Sequence, residues 1–205
     1  IPADVELEAF VHGAMCISYS GRCLLSNYMA NRDSNKGACV QACRWEYTIH
    51  EKSRNNEEYP IYEDNRGTYI LNSKDLNMIE YLQELIDAGV TSFKIEGRMK
   101  SVYYVATVVN AYRRAIDNLQ KHKQDSALTL ELNKASHRNY TTGFYFGSSD
   151  KECLSSSTPV QTHEFMAVVL SENKNGQVLI EQRNRFKVGD TLEVLSPNKT
   201  FNKTI

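Results

Sequence analysis

Thr91-Ser92-Phe93-Lys94-Ile95-Glu96-Gly97 reads as a short strand between two helical stretches. Before it, Met78, Ile79, Leu82, Leu85 and Ile86 recur at helical spacing until Gly89 ends the helix. After it, Val102, Val105, Val108, Val109, Tyr112, Ile116 and Leu119 are expected to line one side of a long helix, with Arg113, Arg114 and Asp117 on its polar side. Upstream, Thr68 to Leu71 reads as another strand, with Asn72 or Ser73 as the N-cap of the following helix. Repeated strand–helix units predict a parallel sheet covered by helices, either open or closed into a barrel.

Towards the N-terminus, Asp4 to His12 alternates as a strand, with Val5, Leu7, Ala9 and Val11 on one face and Asp4, Glu6, Glu8, Phe10 and His12 on the other. An irregular segment rich in Gly, Asn, Ser and Arg follows. Arg44 to His50 reads as a strand, and Glu51 to Arg66 as a surface loop or hairpin. Towards the C-terminus, Lys121 to Ser126 breaks the rhythm and Tyr140 to Gly147 reads as a connector. After Ser155 to Pro159 the pattern becomes all-β, with strands expected at Phe165 to Leu170, Val178 to Gln182 and Thr191 to Leu195, as in a small barrel. The expected organisation is a first region over 1–150 and a β region over 151–205. Ile1 opens in strand-like sequence and Lys199 to Ile205 reads as mid-strand, so both ends read as cut from a longer chain.

The 205 residues are enough to bury a core without help from a metal. With 24 Lys+Arg against 25 Asp+Glu there is no global charge for a polyanion to meet, so any such partner must be met locally. A local excess exists: Arg22, Arg32, Lys36 and Arg44 surround the cysteine segment, with Asp33 as the acid among them. They are candidate nucleic-acid contacts, against the plainer reading of a solvated loop surface. No apolar stretch is long enough for a membrane span and no leader opens the chain, which predicts a protein without a membrane partner, placed in the cytoplasm.

Cys16, Cys23, Cys39 and Cys43 fall in one stretch, and Cys153 lies outside it. Four thiolates complete the ligand set of either zinc or an iron–sulfur cluster. The wide spacing of the first pair departs from the tight pairs of structural zinc sites, whereas a cluster binds its thiolates through separate iron atoms. Zinc, disulfides and buried inert cysteines stay open on chemistry alone.

Lys94 and Glu96 share a strand face, and Arg98 follows Gly97. In a barrel these ends form the catalytic mouth, where Glu8 and His12 would also arrive, Gly13 turning the chain towards Cys16. Glu8, His12, Lys94, Glu96 and Arg98 are therefore the candidate catalytic residues. The competing reading is a packing salt bridge from Lys94 to Glu96 or Glu8. His163-Glu164-Phe165-Met166-Ala167 lacks the second histidine of a zinc-protease helix, and there is neither a Gly-x-Ser-x-Gly elbow nor a phosphate-binding glycine loop. Trp45 could stack on a base.

Glu8-x-Phe10-x-x-Gly13-Ala14-Met15-Cys16, continuing through Gly21-x-Cys23-x-Leu25-Ser26, resembles the signature of the U32 peptidase family, the collagenase-like proteases. The likeness extends through Gly37 to Trp45, Tyr69 to Leu76, Phe93 to Lys100 and Tyr140 to Tyr145. It implies an α/β fold, a partial TIM-like (β/α) barrel followed by a small, truncated all-β barrel domain. Relatives include proteins that hydroxylate tRNA wobble uridine with prephenate as a required metabolite, proteins acting on ribosomal RNA, and hydroxylases of ubiquinone precursors holding a four-cysteine [4Fe–4S] cluster. Carried over, Cys16, Cys23, Cys39 and Cys43 would ligate that cluster. Lys94 and Arg98 would hold an anionic metabolite or a phosphate, and Glu96 or His12 would move protons. tRNA and a paralogous U32 protein become expected partners. The family label also implies a peptidase on extended chains, against which no nucleophile and base stand together in this segment, and a zinc-stabilised binding module is the third reading.

Overall fold

The computed structural model describes all residues except 1, 3, 17, 20, 46–47, 51–57, 61–73, 120, 122–125, 148–158, 173–174, 176 and 198–205. In chain order the elements are β1 (Glu8–Ala14), α1 (Leu25–Ala30), β2 (Thr48–His50), β3 (Glu58–Pro60), β4 (Asp75–Asn77), α2 (Leu82–Asp87), β5 (Ser92–Ile95), α3 (Val102–Leu119), α4 (Ala127–Leu132), β6 (Tyr140–Thr141), β7 (Ala167–Glu172) and β8 (Val178–Gln182). Single 3-10 turns stand at Ser34–Lys36, Ala42–Arg44 and Ile79–Tyr81.

The chain forms two compact units. One contains residues 1–11, 78–137 and 160–205, the other 12–77 and 138–159. In the first, Thr91 and Ser92 donate backbone hydrogen bonds to the Leu7 carbonyl, bringing β5 beside the start of β1. Val11, Met78, Leu82, Tyr104, Val108, Ala111 and Leu132 form the core. Tyr112 is buried among them because its hydroxyl is satisfied: it donates to the Val11 carbonyl at 2.7 Å and accepts from the Met78 amide at 3.1 Å.

The long helix begins and ends as its periodicity predicts, but its buried face is turned. Tyr104, Thr107, Val108, Ala111, Tyr112 and Ala115 face inward, while Val102, Val105 and Val109 are exposed. The alanines allow close approach, and Tyr104 buries its ring with its hydroxyl reaching the Glu96 carbonyl at 3.4 Å. The preceding helix starts later than its apolar spacing implies, since Asp75–Asn77 is strand and a 3-10 turn precedes α2. Gly89 closes it with φ +89°. Thr68 to Leu71 and the expected caps Asn72 and Ser73 lie outside the described residues.

In the second unit, β1 and β4 pair antiparallel, His12 opposite Asn77 and Ala14 opposite Asp75. β4 runs parallel to β6, Asp75 opposite Tyr140. The wholly parallel sheet expected from the strand–helix rhythm is thus mixed. The physical reason is the connection: the cysteine excursion follows β1 instead of a crossover helix, and β4 re-enters at the end where β1 left. β2 and β3 pair antiparallel, with Ile49 opposite Tyr59; β2 falls at the end of the expected Arg44 to His50 strand, whose start is the Ala42–Arg44 3-10 turn, and β3 lies in the Glu51 to Arg66 stretch read as loop or hairpin.

In the C-terminal stretch β7 and β8 form an antiparallel hairpin with a bulge between Val169 and Ser171. Thr191 to Leu195, read as a third strand, contributes only a bridge at Glu193. That carboxylate is instead used in an ion pair. Lys134 donates to Glu131 at 2.7 Å and to Glu193 at 2.6 Å, and His163 stands 3.4 Å from Glu193.

Candidate functional site

The four cysteines lie in the second unit, and all are free thiols. Cys16 follows β1, Cys23 precedes α1, and Cys39 and Cys43 flank the turn into Ala42–Arg44. Two hydrogen bonds tie the Cys23 segment to its surroundings. Ser26, fully buried, accepts from the Val40 amide at 3.0 Å, and Ser34 donates to the Cys23 carbonyl at 2.9 Å. Asp33 caps the Ser34–Lys36 turn by accepting from the Asn35 amide.

Gln41 has φ +56°, left-handed backbone that a residue with a side chain adopts at a cost. There its amide donates to Cys39 Sγ at 3.3 Å. Burial pushes the Cys43 thiol above its ordinary value; the adjacent Arg44 charge opposes this, while Cys16, Cys39 and Cys23 reinforce it. Among the described residues, no group of three or more His, Cys, Asp or Glu side chains is placed so that it could hold a metal ion. What the segment offers is donor type alone: four soft thiols, with one backbone N–H on the Cys39 sulfur. Cys153 lies outside the described residues.

Of the cations expected to face nucleic acid, Arg22, Arg32 and Lys36 are exposed, with Lys36 3.9 Å from Asp33. Arg44 is turned inward. Its side chain is 6 % exposed, its Nη1 lies 3.3 Å from Asp75 Oδ1, and its Nη2 donates to the Met15 carbonyl at 2.7 Å. It is thereby removed from the basic surface and placed among the supports of the cysteines. Large exposed side chains join the three outward cations: Tyr19 and Tyr28 at 89 % and 90 %, and Trp45 at 45 %. The tyrosines were legible as residues but carried no periodicity to mark them as outward.

The catalytic candidates divide between the units. His12 belongs with the cysteines and is enclosed at 1 % exposure, its ring 5.4 Å from that of Tyr140, so it does not stand open at a strand end. Glu8, Lys94, Glu96 and Arg98 belong to the other unit. Lys94 donates to Glu8 at 2.8 Å, a half-exposed pair and not an internal one, and lies 5.1 Å above the Phe10 ring. Glu96 accepts from the Arg98 amide at 3.2 Å, closing the turn after β5, and Arg98 is exposed.

The sequence pattern of peptidase family U32 matches residues 2–155, and that of the U32 C-terminal domain matches 161–205. The chain belongs to peptidase family U32. This U32 chain is 40% identical over 98% of its length to tRNA hydroxylation protein P1 of Bacillus subtilis, covering 50% of that protein. It is 36% identical over 98% of its length to tRNA hydroxylation protein P of Escherichia coli, covering 54%. It is also 37% identical, over 70% of its length, to a collagenase of Porphyromonas gingivalis, of which it covers 34%. The chain thus spans about half the length of the first two relatives. No solved structure matches it. Among the described residues of this U32 chain, no helix is long and apolar enough to cross a membrane.

Proposed function

We propose that this U32 chain is part of a cytoplasmic enzyme that hydroxylates the wobble uridine of tRNA. The observation that carries the reading is its likeness, over nearly its whole length, to two proteins named for tRNA hydroxylation. In this reading Cys16, Cys23, Cys39 and Cys43 hold a [4Fe–4S] cluster, whose chemistry when bound is the transfer of single electrons. The Gln41 amide steadies the Cys39 sulfur. Arg22, Arg32 and Lys36 meet phosphates, and Tyr19, Tyr28 and Trp45 offer faces to unpaired bases.

Arg98 and Lys94 receive an anionic metabolite such as prephenate, Lys94 exchanging its bond to Glu8 for one to the incoming carboxylate. Glu8 and Glu96 are the exposed or half-exposed carboxylates beside that place, suited to accepting a proton. The strands and helices would form the later part of a TIM-like barrel, with the β7–β8 hairpin opening a small β-barrel, and a paralogous U32 protein is a candidate partner. Mass spectrometry of tRNA from a deletion strain tests the reading. Loss of the wobble-uridine hydroxyl supports it, and an unchanged uridine overturns it.

A second reading, proteolysis of extended chains, has the collagenase likeness behind it. Cleavage of gelatin by the purified full-length protein, lost on replacing Glu96, would favour it.

A further inference from the structure

We infer that Arg44 is a positioning residue that sets the Cys16 segment against the Cys43 segment, with Asp75 as its anchor. This rests on reading the four thiols as one ligand set. Arg44 directly follows Cys43, and its Nη2 donates to the carbonyl of Met15, the residue directly before Cys16. One guanidinium therefore joins two stretches of chain that carry different thiols.

The anchor is fixed in turn. Asp75 is 1 % exposed; its Oδ1 faces Arg44, its Oδ2 accepts from the Arg138 amide at 3.1 Å, and its own amide donates to the Asn139 carbonyl at 2.9 Å. Met15 is held from the other side, since its Cε lies 3.2 Å from where a Cβ on Gly143 would stand, and Gly143 has φ +61°. A planar fork can bond a carboxylate and a carbonyl in two directions at once, which an ammonium on a flexible stem does not reproduce.

The joint between Cys23 and Cys39 is separate. It runs through Ser26 Oγ and the Val40 amide and does not involve Arg44. Loss of the guanidinium should therefore loosen Cys16 from Cys43 selectively, which a general packing role would not do.

The test uses the reduced, metal-free full-length protein and a short bifunctional thiol reagent, with cross-linked peptides read by mass spectrometry. In Arg44→Met the Cys16–Cys43 product should fall severalfold while the Cys23–Cys39 product stays at the wild-type level. Arg44→Lys, which keeps a cation opposite Asp75, should show the same selective loss and carries the test if Arg44→Met does not fold. An unchanged Cys16–Cys43 product, or equal loss of both products, overturns the inference. Anaerobic loading with iron and sulfide adds a second readout, with affinity expected to fall on the order of tenfold or more in Arg44→Met. Wild type that takes up no iron while the cross-link pattern holds would remove the cluster and leave the positioning role. Equal iron uptake with unchanged cross-links would do the reverse.

Discussion

The Lys94 ammonium and the Glu8 carboxylate meet at 2.8 Å with both side chains half exposed. The hydrogen bond from Lys94, with a second from Ser92 and the charge of Lys94, holds Glu8 below the ordinary carboxylate value, against a small opposing effect of burial. Glu8 is thus ionised at neutral pH and engaged by Lys94, a weaker base than a free carboxylate.

Lys94→Met should let the Glu8 carboxyl rise towards 4.5, its ordinary value. The sign follows from a depressed folded value: whatever stability Glu8 contributes is present above that ordinary value and is lost as pH falls through the folded one. Carbon-detected NMR titration of Glu8 in wild type and variant measures it, and coincident curves would refute the pairing in solution.

The Arg44–Asp75 pair is buried on both sides. Removing one partner strands a charge, so Asp75→Asn or Arg44→Met should cost roughly 3–5 kcal/mol in denaturant unfolding. Changing both should cost less than the sum of the single changes. Strict additivity would mean the two side chains do not interact.

Lys134 is pulled down by burial, but its hydrogen bonds to Glu131 and Glu193 outweigh this and leave it above its ordinary value. Burial likewise raises Glu193, and Lys134 and His163 together reverse the effect, leaving it below. The pair should therefore stabilise between these limits, fading as pH falls through the depressed Glu193 value or rises through the raised Lys134 value. Lys134→Met should lower stability by on the order of 1–3 kcal/mol near neutral pH. Limited proteolysis after β8 is the check, and equal cleavage rates in wild type and variant would exclude the tie.

Tyr28 is 90 % exposed, so Tyr28→Ala should leave the melting temperature unchanged. If the surface stacks on bases, the same change should weaken binding of single-stranded tRNA loops by about 1–3 kcal/mol. Arg22→Ala should also reduce the salt dependence of that binding. Unaltered affinity in both variants would remove the RNA-facing assignment of this segment.

The extent of α3 was legible because its period persists over five turns' worth of sequence. Its facing was not. Valines at 102, 105 and 109 outrank tyrosine and alanine in hydropathy, yet the tyrosines bury once Val11 and Glu96 supply acceptors, and Ala111 and Ala115 permit the approach. The cysteines stood out as a group in the sequence, but the inward turn of Arg44 depends on Asp75, distant along the chain, which no local pattern announces. His12 likewise alternated to the polar face and is enclosed beside Tyr140.

Gln41 keeps a side chain where glycine would rest more easily. A loop built this way has its amide aimed at Cys39 by the backbone itself, and neighbouring contacts must hold it there against the residue's own preference. Relaxing the turn by Gln41→Gly would widen the directions the amide can take and lessen the steadiness of the sulfur it faces. The rigidity of the thiol-bearing turn is in that sense a property of one disfavoured dihedral.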